Sequence, residues 1–296
     1  MVIRESLGDR VFNYVTVTLL TLLMLVVLYP LYFVLIASFS DPNAVSLGRM
    51  YLLPVDPTLR GYELVFKYNE VWLGYRNSLF YAAAGVIIHL SITLPAAYSL
   101  SRKDFKWKKF FMIMFMIPMF FSGGMIANYL LIARNLGMRD TVWALLLPGA
   151  TSLMPIAIAR TFFATNIPDE IREAAQIDGC SNFRLFFSLV LPLSAAIIAV
   201  LALQNAVLHW NSYWSAMMYL TDRNGKHLRP LQIVLRNILI LNQVEADQDH
   251  GTAELARRIE MLKYSLIIVS IIPILLIYPF IQRYFVKGIM IGSLKG

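Results

Sequence analysis

Residues 167–192 read I-P-D-E-I-R-E-A-A-Q-I-D-G-C-S-N-F-R-L-F-F-S-L-V-L-P. Pro168 suits a first helical turn, where its missing N–H costs nothing. Asp169 and Glu170 stand where the positive end of a helix favours carboxylates. Gly179 suits the left-handed residue that closes a helix, so the stretch predicts a short, capped helix of about eleven residues up to that glycine. Ile171, Ala174 and Ala175 share a face at i, i+3 and i+4, and the two alanines let another surface approach. After Gly179, Ser181 or Asn182 suits the cap of the next helix, which runs into apolar Phe183–Val190 and meets Pro192.

Outward from this stretch the chain is apolar on both sides. Runs at about 11–39, 77–100, 110–133, 141–161, 185–209 and 261–282 each reach the roughly 20 residues that cross the hydrocarbon core of a bilayer. The 296 residues are 58% hydrophobic and 15% charged, against roughly 45–50% and 25% in soluble domains. These figures predict an all-α membrane protein of six spans in a single domain, 1–296. The first run is too long for a signal-peptide core and is expected to be retained.

The net charge of +8 raises the question of nucleic acid, but the basic residues lie between apolar runs rather than on one face, so lipid attraction and orientation explain them and no nucleic-acid partner is expected. Arg102, Lys103, Lys106, Lys108 and Lys109 crowd the short connection between the second and third runs, which places that loop in the cytoplasm. With six spans, both termini are then cytoplasmic, and 162–184 forms a cytoplasmic loop. Arg257 and Arg258 fall on the outer side, in a long loop where the rule weakens and where Glu254 and Glu260 accompany them. Segments 40–75 and 215–260 become extracytoplasmic. The first opens with Asp41-Pro42, Leu53-Pro54 and Asp56-Pro57 as turns, with a helix expected over Leu59–Tyr68. The second has a turn-rich tip at Thr221–Lys226, with helices expected near 231–241 and 251–263. Residues 285–296 form a cytoplasmic tail. Cys180 is the one cysteine, so no internal disulfide is possible.

Pro118 with Ser122-Gly123-Gly124, Pro148-Gly149 with Pro155, and Pro192 interrupt the third, fourth and fifth runs. Each removes an amide donor, which predicts kinks or local unwinding. His89, Asn128, Gln204 and Asn205 are polar within spans, and Trp210-Asn211 closes the fifth. Such residues face a bundle interior or a path, or simply bond neighbouring helices. No carboxylate stands in the middle of a span, which argues against a proton-driven antiporter.

Glu173-Ala174-Ala175, Gly179, and Leu189-Val190-Leu191-Pro192 after it resemble the EAA loop of ABC importer permeases: E-A-A, three residues, G, nine residues, I-x-L-P. Leu189 stands where Ile is usual, and Asp178 is also usual. Trp210-Asn211, Arg229-Pro230-Leu231-Gln232 and the tail Phe285–Gly296 resemble the carbohydrate branch, in particular the maltose-type second permease. The tail and Ser122-Gly123-Gly124 resemble the subgroup handling complex oligo- and polysaccharides, including alginate-type importers, although Ala127 replaces a frequent Pro.

The resemblance implies a type I importer in the bacterial cytoplasmic membrane. A second, different permease pairs with this chain, two ATPase subunits dock below, and an extracytoplasmic solute-binding protein delivers saccharide from outside. ATP and Mg bind the ATPases, so this chain needs no cofactor or metal and has no catalytic residue. Consistently, it has no phosphate-binding loop and no H-E-x-x-H motif. Glu173, Ala174, Ala175, Asp178, Gly179, Leu191 and Pro192 are then the coupling residues. His89, Asn128, Gln204, Asn205, Trp210 and Asn211 are candidates for the path, and Asp222, Arg223, Asn224, Gly225 and Lys226 for contact with the binding protein. A receptor or scaffold would need a further signalling domain. A secondary transporter would need inverted repeats or a buried ion site, and a membrane enzyme a convergent acid–base set.

Overall fold

A computed structural model describes residues 6–248 and 262–279, all secondary structure among them helical. The expectations for the tail 285–296, for a helix over most of 251–263, and for Glu254, Arg257, Arg258 and Glu260 lie outside the described residues. By internal contacts the chain divides into two units, 1–69 with 237–272, and 70–236 with 273–296.

In the first unit, α1 (Leu7–Ser38) opens with a capping box. The Ser6 hydroxyl accepts from the Asp9 N–H, and the Asp9 carboxylate accepts from the Ser6 N–H. From Leu7 to Leu31 it is apolar and exposed on nearly every face, the condition of a helix whose solvent is lipid or another membrane chain. Its last turn enters a small core of Ile36, Ala37 and Met50, joined by Phe33, Val45, Val55 and Tyr264. Two short helices follow, α2 (Pro42–Ser46) and α3 (Arg60–Lys67), the latter where a helix over Leu59–Tyr68 was expected. The Ser38 hydroxyl and Tyr62 OH, 2.7 Å apart, tie α3 to the end of α1.

α4 (Asn69–Ser101) is 33 residues long, about 50 Å at 1.5 Å per residue. It starts eight residues before the expected 77, so the helix takes up the end of the segment first placed in the 40–75 loop. Hydropathy marks only the part that suits hydrocarbon; the polar first turns of α4 still bury Val71 and Gly74.

The interrupted runs break further than kinking predicts. α5 (Lys108–Phe120) and the next helix, α6 (Gly124–Tyr129) with its π-helical extension Leu130–Asn135, meet at 117°. The turn falls on Phe121-Ser122-Gly123. The 141–161 run divides into α7 (Trp143–Leu146) and α8 (Leu153–Asn166). Pro148-Gly149 lies in the gap, whereas Pro155 is the third residue of α8. A proline there meets no preceding turn, so it starts the helix and bends nothing, contrary to expectation. α9 (Asp169–Ile177) and α10 (Asn182–Leu185) follow. A π-helical turn, Phe186–Val190, and α11 (Leu191–Leu193) carry the chain past Pro192. α12 (Ala195–Trp210) then leaves at 80°. The wide π turn relieves the proline ring's clash with the preceding turn, and the Ser194 hydroxyl donates to the Val190 carbonyl at 2.7 Å. α13 (Trp214–Tyr219), α14 (Leu231–Gln248) and α15 (Leu262–Pro279) complete the described chain. Among the described residues three helices, α1, α4 and α15, are continuous candidate spans, and the two bent pairs bring the number to five. The 141–161 run, the fourth of the six expected spans, is too fragmented to count by length.

Candidate functional site

α9 is anchored at both ends by its own sequence. Pro168 is not in its first turn, as expected, but just before it, with the extended ψ of 146°. At the far end Gly179 has φ +71°. The Cys180 N–H donates to the Ala175 carbonyl at 2.8 Å and the Gly179 N–H to the Gln176 carbonyl at 3.0 Å, which is the Schellman closure that needs a left-handed residue at this position. Ser181 then caps α10 by accepting from the Arg184 N–H.

The face expected to carry Ile171, Ala174 and Ala175 together is divided. Ala175 is buried in a core that includes Tyr98 of α4, Phe163 of α8 and Leu185 of α10. Ala174 looks outward with Glu173, Gln176 and Asp178. Ala175 therefore seats the helix on its own chain, and the outward face is the one open to a partner. One large apolar residue of α9 escaped the sequence reading: Ile177 is 86% exposed, and Phe183 of α10 is 76% exposed. Ile177 is two positions from Ala175, and so points away from it.

A charged cluster fixes α9 from the side. The Arg102 guanidinium donates to both Asp104 oxygens at 2.9 and 2.6 Å, and its third nitrogen donates to Asn182 Oδ1 at 2.9 Å. Arg172 of α9 donates to the same Asp104 carboxylate at 3.2 Å, with Asp169 3.8 Å away. Lys103 Nζ pairs with Asp169 at 2.8 Å. The hydrogen bond from Arg102 holds the Asp104 carboxyl below its ordinary pKa, and that from Lys103 does the same for Asp169. Reciprocally, the Asp169 carboxylate raises Lys103. Beside the cluster lies a cleft of about 270 Å³ floored by Tyr98, Phe163 and Ile167.

At the other end of α4, the 221–231 loop is bound to the chain rather than standing free. Asn77 Nδ2 donates to the His227 and Arg229 carbonyls at 2.8 and 2.9 Å. Tyr81 OH donates to the Leu228 carbonyl, and the Leu231 N–H donates to the Ser78 hydroxyl, each at 2.8 Å. Asp140, at the left-handed φ of 58°, accepts from the Thr221 N–H and hydroxyl at 2.5 and 2.8 Å. The tip turns at 222–224, as expected, and Gly225 closes it with its N–H donating to the Thr221 carbonyl at 3.0 Å. The Gly225 φ of −94° is open to any residue, so the Asn224-Gly225 pair forms no left-handed turn. A β-carbon there would stand 2.4 Å from the Asp140 carboxylate; the glycine is needed for space. Asp222, Arg223 and Asn224 remain exposed, Asp222 paired with Arg229, while exposed Lys226 pairs with Glu70 at 2.8 Å.

The polar residues of the spans separate into two sets. His89 Nδ1 lies 2.7 Å from the Ala150 carbonyl, which the break at Pro148-Gly149 frees, and Thr93 bonds Thr151 at 2.8 Å. His89, Asn205 and Trp210 are buried within the chain, and Asn205 Oδ1 has no hydrogen-bond partner among the described residues. Asn128, Gln204 and Asn211 face outward. Leu191 is half-buried and Pro192 exposed, beside the bend into α12.

The comparisons with known proteins agree over almost the whole length. The chain is 35% identical over 289 residues to the Bacillus subtilis polygalacturonan/rhamnogalacturonan transport system permease protein YtcP, covering 97% of this chain and 99% of that one. It is 33% identical to the Bacillus subtilis protein LplC, covering 98% and 96%. A chain from a crystal structure of a bacterial ABC transporter involved in the import of the acidic polysaccharide alginate superposes with a TM-score of 0.85 at 30% identity, covering 95% and 99%. The model of the family described as binding-protein-dependent transport system inner membrane component matches residues 71–291, and with this breadth of agreement the chain belongs to that family.

Proposed function

We propose that this chain is one permease of an ABC importer that moves an acidic oligo- or polysaccharide across the bacterial cytoplasmic membrane. The observation that carries the reading is α9: a helix led by Pro168 and closed at Gly179, seated by Ala175 and presenting Glu173, Ala174 and Ile177 outward. In this reading the α9 side is cytoplasmic, as the basic loop 102–109 requires, and both termini lie there. Two ATPase subunits bind and hydrolyse ATP with Mg, one of them taking α9 into a groove. A second, different permease pairs with this chain. A path between two permeases is lined by groups exposed on each, which favours Asn128, Gln204 and Asn211 over His89 and Asn205. The solute-binding protein docks against the opposite side, meeting Asp222, Arg223 and Asn224.

The substrate class rests on the relatives. The names of two of them specify polygalacturonan with rhamnogalacturonan, and alginate described as an acidic polysaccharide. We therefore expect uronate-containing chains. The test is reconstitution of the two permeases and two ATPase subunits in vesicles, with ATP inside and the binding protein and labelled oligosaccharides outside. ATP-dependent uptake of oligogalacturonate or oligoalginate, with none of neutral maltotriose, is expected. Preference for the neutral sugar overturns the substrate class, and failure of ATPase subunits to copurify with the chain overturns the importer reading.

A further inference from the structure

The two clamped regions lie at opposite ends of one helix. At the Ser101 end of α4, Arg102, Lys103 and Asp104 bond α9 and the residue that opens α10. Arg160 of α8 also donates to the Leu100 carbonyl, at 3.2 Å. Near the Asn69 end, Asn77, Ser78 and Tyr81, all buried, hold four backbone groups of residues 227–231. Asn77 and Ser101 are about 36 Å apart along the helix at 1.5 Å per residue.

We propose that α4 is the mechanical link between α9 and the 221–231 loop, and that Asp104 is the positioning residue that fastens α9 to it. The inference rests on the importer reading above. A displacement of α9 has three routes into the chain. Backward, it meets the gap between α7 and α8. Forward, it meets the π-helical turn and the 80° bend before α12. Both routes contain backbone that yields. The third route crosses the charged cluster on residues 102–104, which follow directly on Ser101, into α4, which stays helical for 33 residues through its internal Pro95, so the route without a helix break is the non-covalent one. Coupling between distant sites travels through packed elements and hydrogen-bond networks of this kind.

Asp104 is decisive within the cluster. It accepts from two guanidiniums, one on each side of the junction, whose side chains are only 19% and 18% exposed. Bonds to such partly desolvated cations outweigh an exposed pair such as Lys103 with Asp169. Loss of the Asp104 charge leaves Arg102 and Arg172 facing each other without their shared anion, and the repulsion opens the junction between α4 and α9. Asp104 touches no substrate, so its effect is on transmission.

The test uses the complete importer in nanodiscs. The chain carries Cys180→Ser and His227→Cys, with an environment-sensitive fluorophore on the new thiol; the His227 side chain is exposed and only its carbonyl is bonded. In the parent complex, ATP with vanadate shifts the label's emission and uptake is measurable. With Asp104→Asn, vanadate trapping by the ATPases is expected to persist, while the label's response and the uptake both fall about tenfold. Asp104→Glu restores at least half of each. Label response and uptake within twofold of the parent overturn the inference. Should Asp104→Asn not assemble, Asn77→Ala replaces it: it cuts the link at the far end without touching α9, and an undiminished label response overturns the inference in the same way. A parent complex that shows neither uptake nor response fails the importer reading instead.

Discussion

α9 and the 221–231 loop are both held against α4, but by different chemistry. Around α9 the bonds are ionic and partly exposed: Asp104 is 48% and Asp169 36% exposed, and Lys103 85%. Around the loop the bonds from α4 that are buried are neutral, made by Asn77, Ser78 and Tyr81 to backbone groups, and the ion pair to α4, Lys226 with Glu70, is exposed. A partly solvated ionic junction re-forms after small displacements, because charge attraction tolerates a range of distances. A set of neutral hydrogen bonds needs its angles kept. The α9 side therefore has a joint that stays closed through small shifts, and the loop side one whose buried bonds hold their angles. The comparison also shows that the loop is not a free tip: what it leaves exposed is Asp222, Arg223 and Asn224, with Lys226 and His227 beside them.

The largest effect that sharpens this contrast is charge reversal on the outward face of α9. Glu173→Lys leaves the anchoring residues Ala175 and Arg172 untouched. Truncating one member of an interfacial charge pair costs about 2–5 kcal/mol, so uptake is expected to fall about 30-fold or more, with the chain still inserted in the membrane. Uptake at the parent rate removes Glu173 from coupling. Next is the closure of the same helix. Gly179→Val forces a β-branched residue to φ +71°, at about 1–2 kcal/mol, and about a tenfold drop in uptake is expected. Asn, which visits this conformation readily, should recover most of it at the same position. Equal losses with Val and Asn would show that the position answers to contact rather than conformation.

On the loop side the expected effects are smaller and concern stability. Gly225→Ala brings a β-carbon to 2.4 Å from the Asp140 carboxylate, and overpacking of this kind costs about 1–3 kcal/mol. The loop should then be cut faster by trypsin at Arg223 or Lys226, while assembly is kept. Asn224→Ala, which fills no left-handed position, should match the parent. If Asn224→Ala has the larger effect, the turn and not the space is what the pair provides.

The two regions also differ in how far the sequence revealed them. The α9 segment carries its signals within about fifteen residues: a proline before the helix, acids in the first turn, a glycine at the left-handed position and a serine cap. All of these are local chemistry, so the helix and its ends were legible. The division of its face was not, because Ala174 and Ala175 differ only in what packs against them, and Tyr98 and Phe163 come from other helices. The loop's clamp was invisible for the same reason. Asn77 and His227 are 150 residues apart in sequence, and an Asn at the edge of an apolar run looks like any other helix-end polar residue. The apolar runs themselves were legible as membrane helices, but hydropathy does not report direction, so the bends of 117° and 80° showed only as prolines and glycines of unknown severity.

The finest distinction between the joints is their response to pH, and here the expected result is a flat line with one edge. The groups in the α9 junction are Arg102, Lys103, Asp104, Asp169, Glu170 and Arg172. Asp104 and Asp169 titrate below their ordinary value because Arg102 and Lys103 hold their charged forms. A carboxyl lowered in the folded chain contributes its full stabilisation above its unfolded pKa, and loses it as pH falls through the lower folded value. Lys103, raised by Asp169, is the converse: its contribution is complete below its unfolded pKa and fades only as pH rises through the higher folded one. Between about pH 5 and 9 neither edge is reached, so the α9 junction should hold constant over that range. A disulfide-trapping pair such as Lys103→Cys with Asp169→Cys would destroy part of the junction it measures. The cleaner readout is a fluorescence-transfer pair placed outside it, at Lys106 and Gln176, in the Cys180→Ser background. Transfer is expected to stay level from pH 9 to 5 and to drop only below about pH 4, the ordinary carboxylate range. An inflection near pH 6–7 would mean that a group other than these six governs the junction, and the ionic half of the comparison would fail.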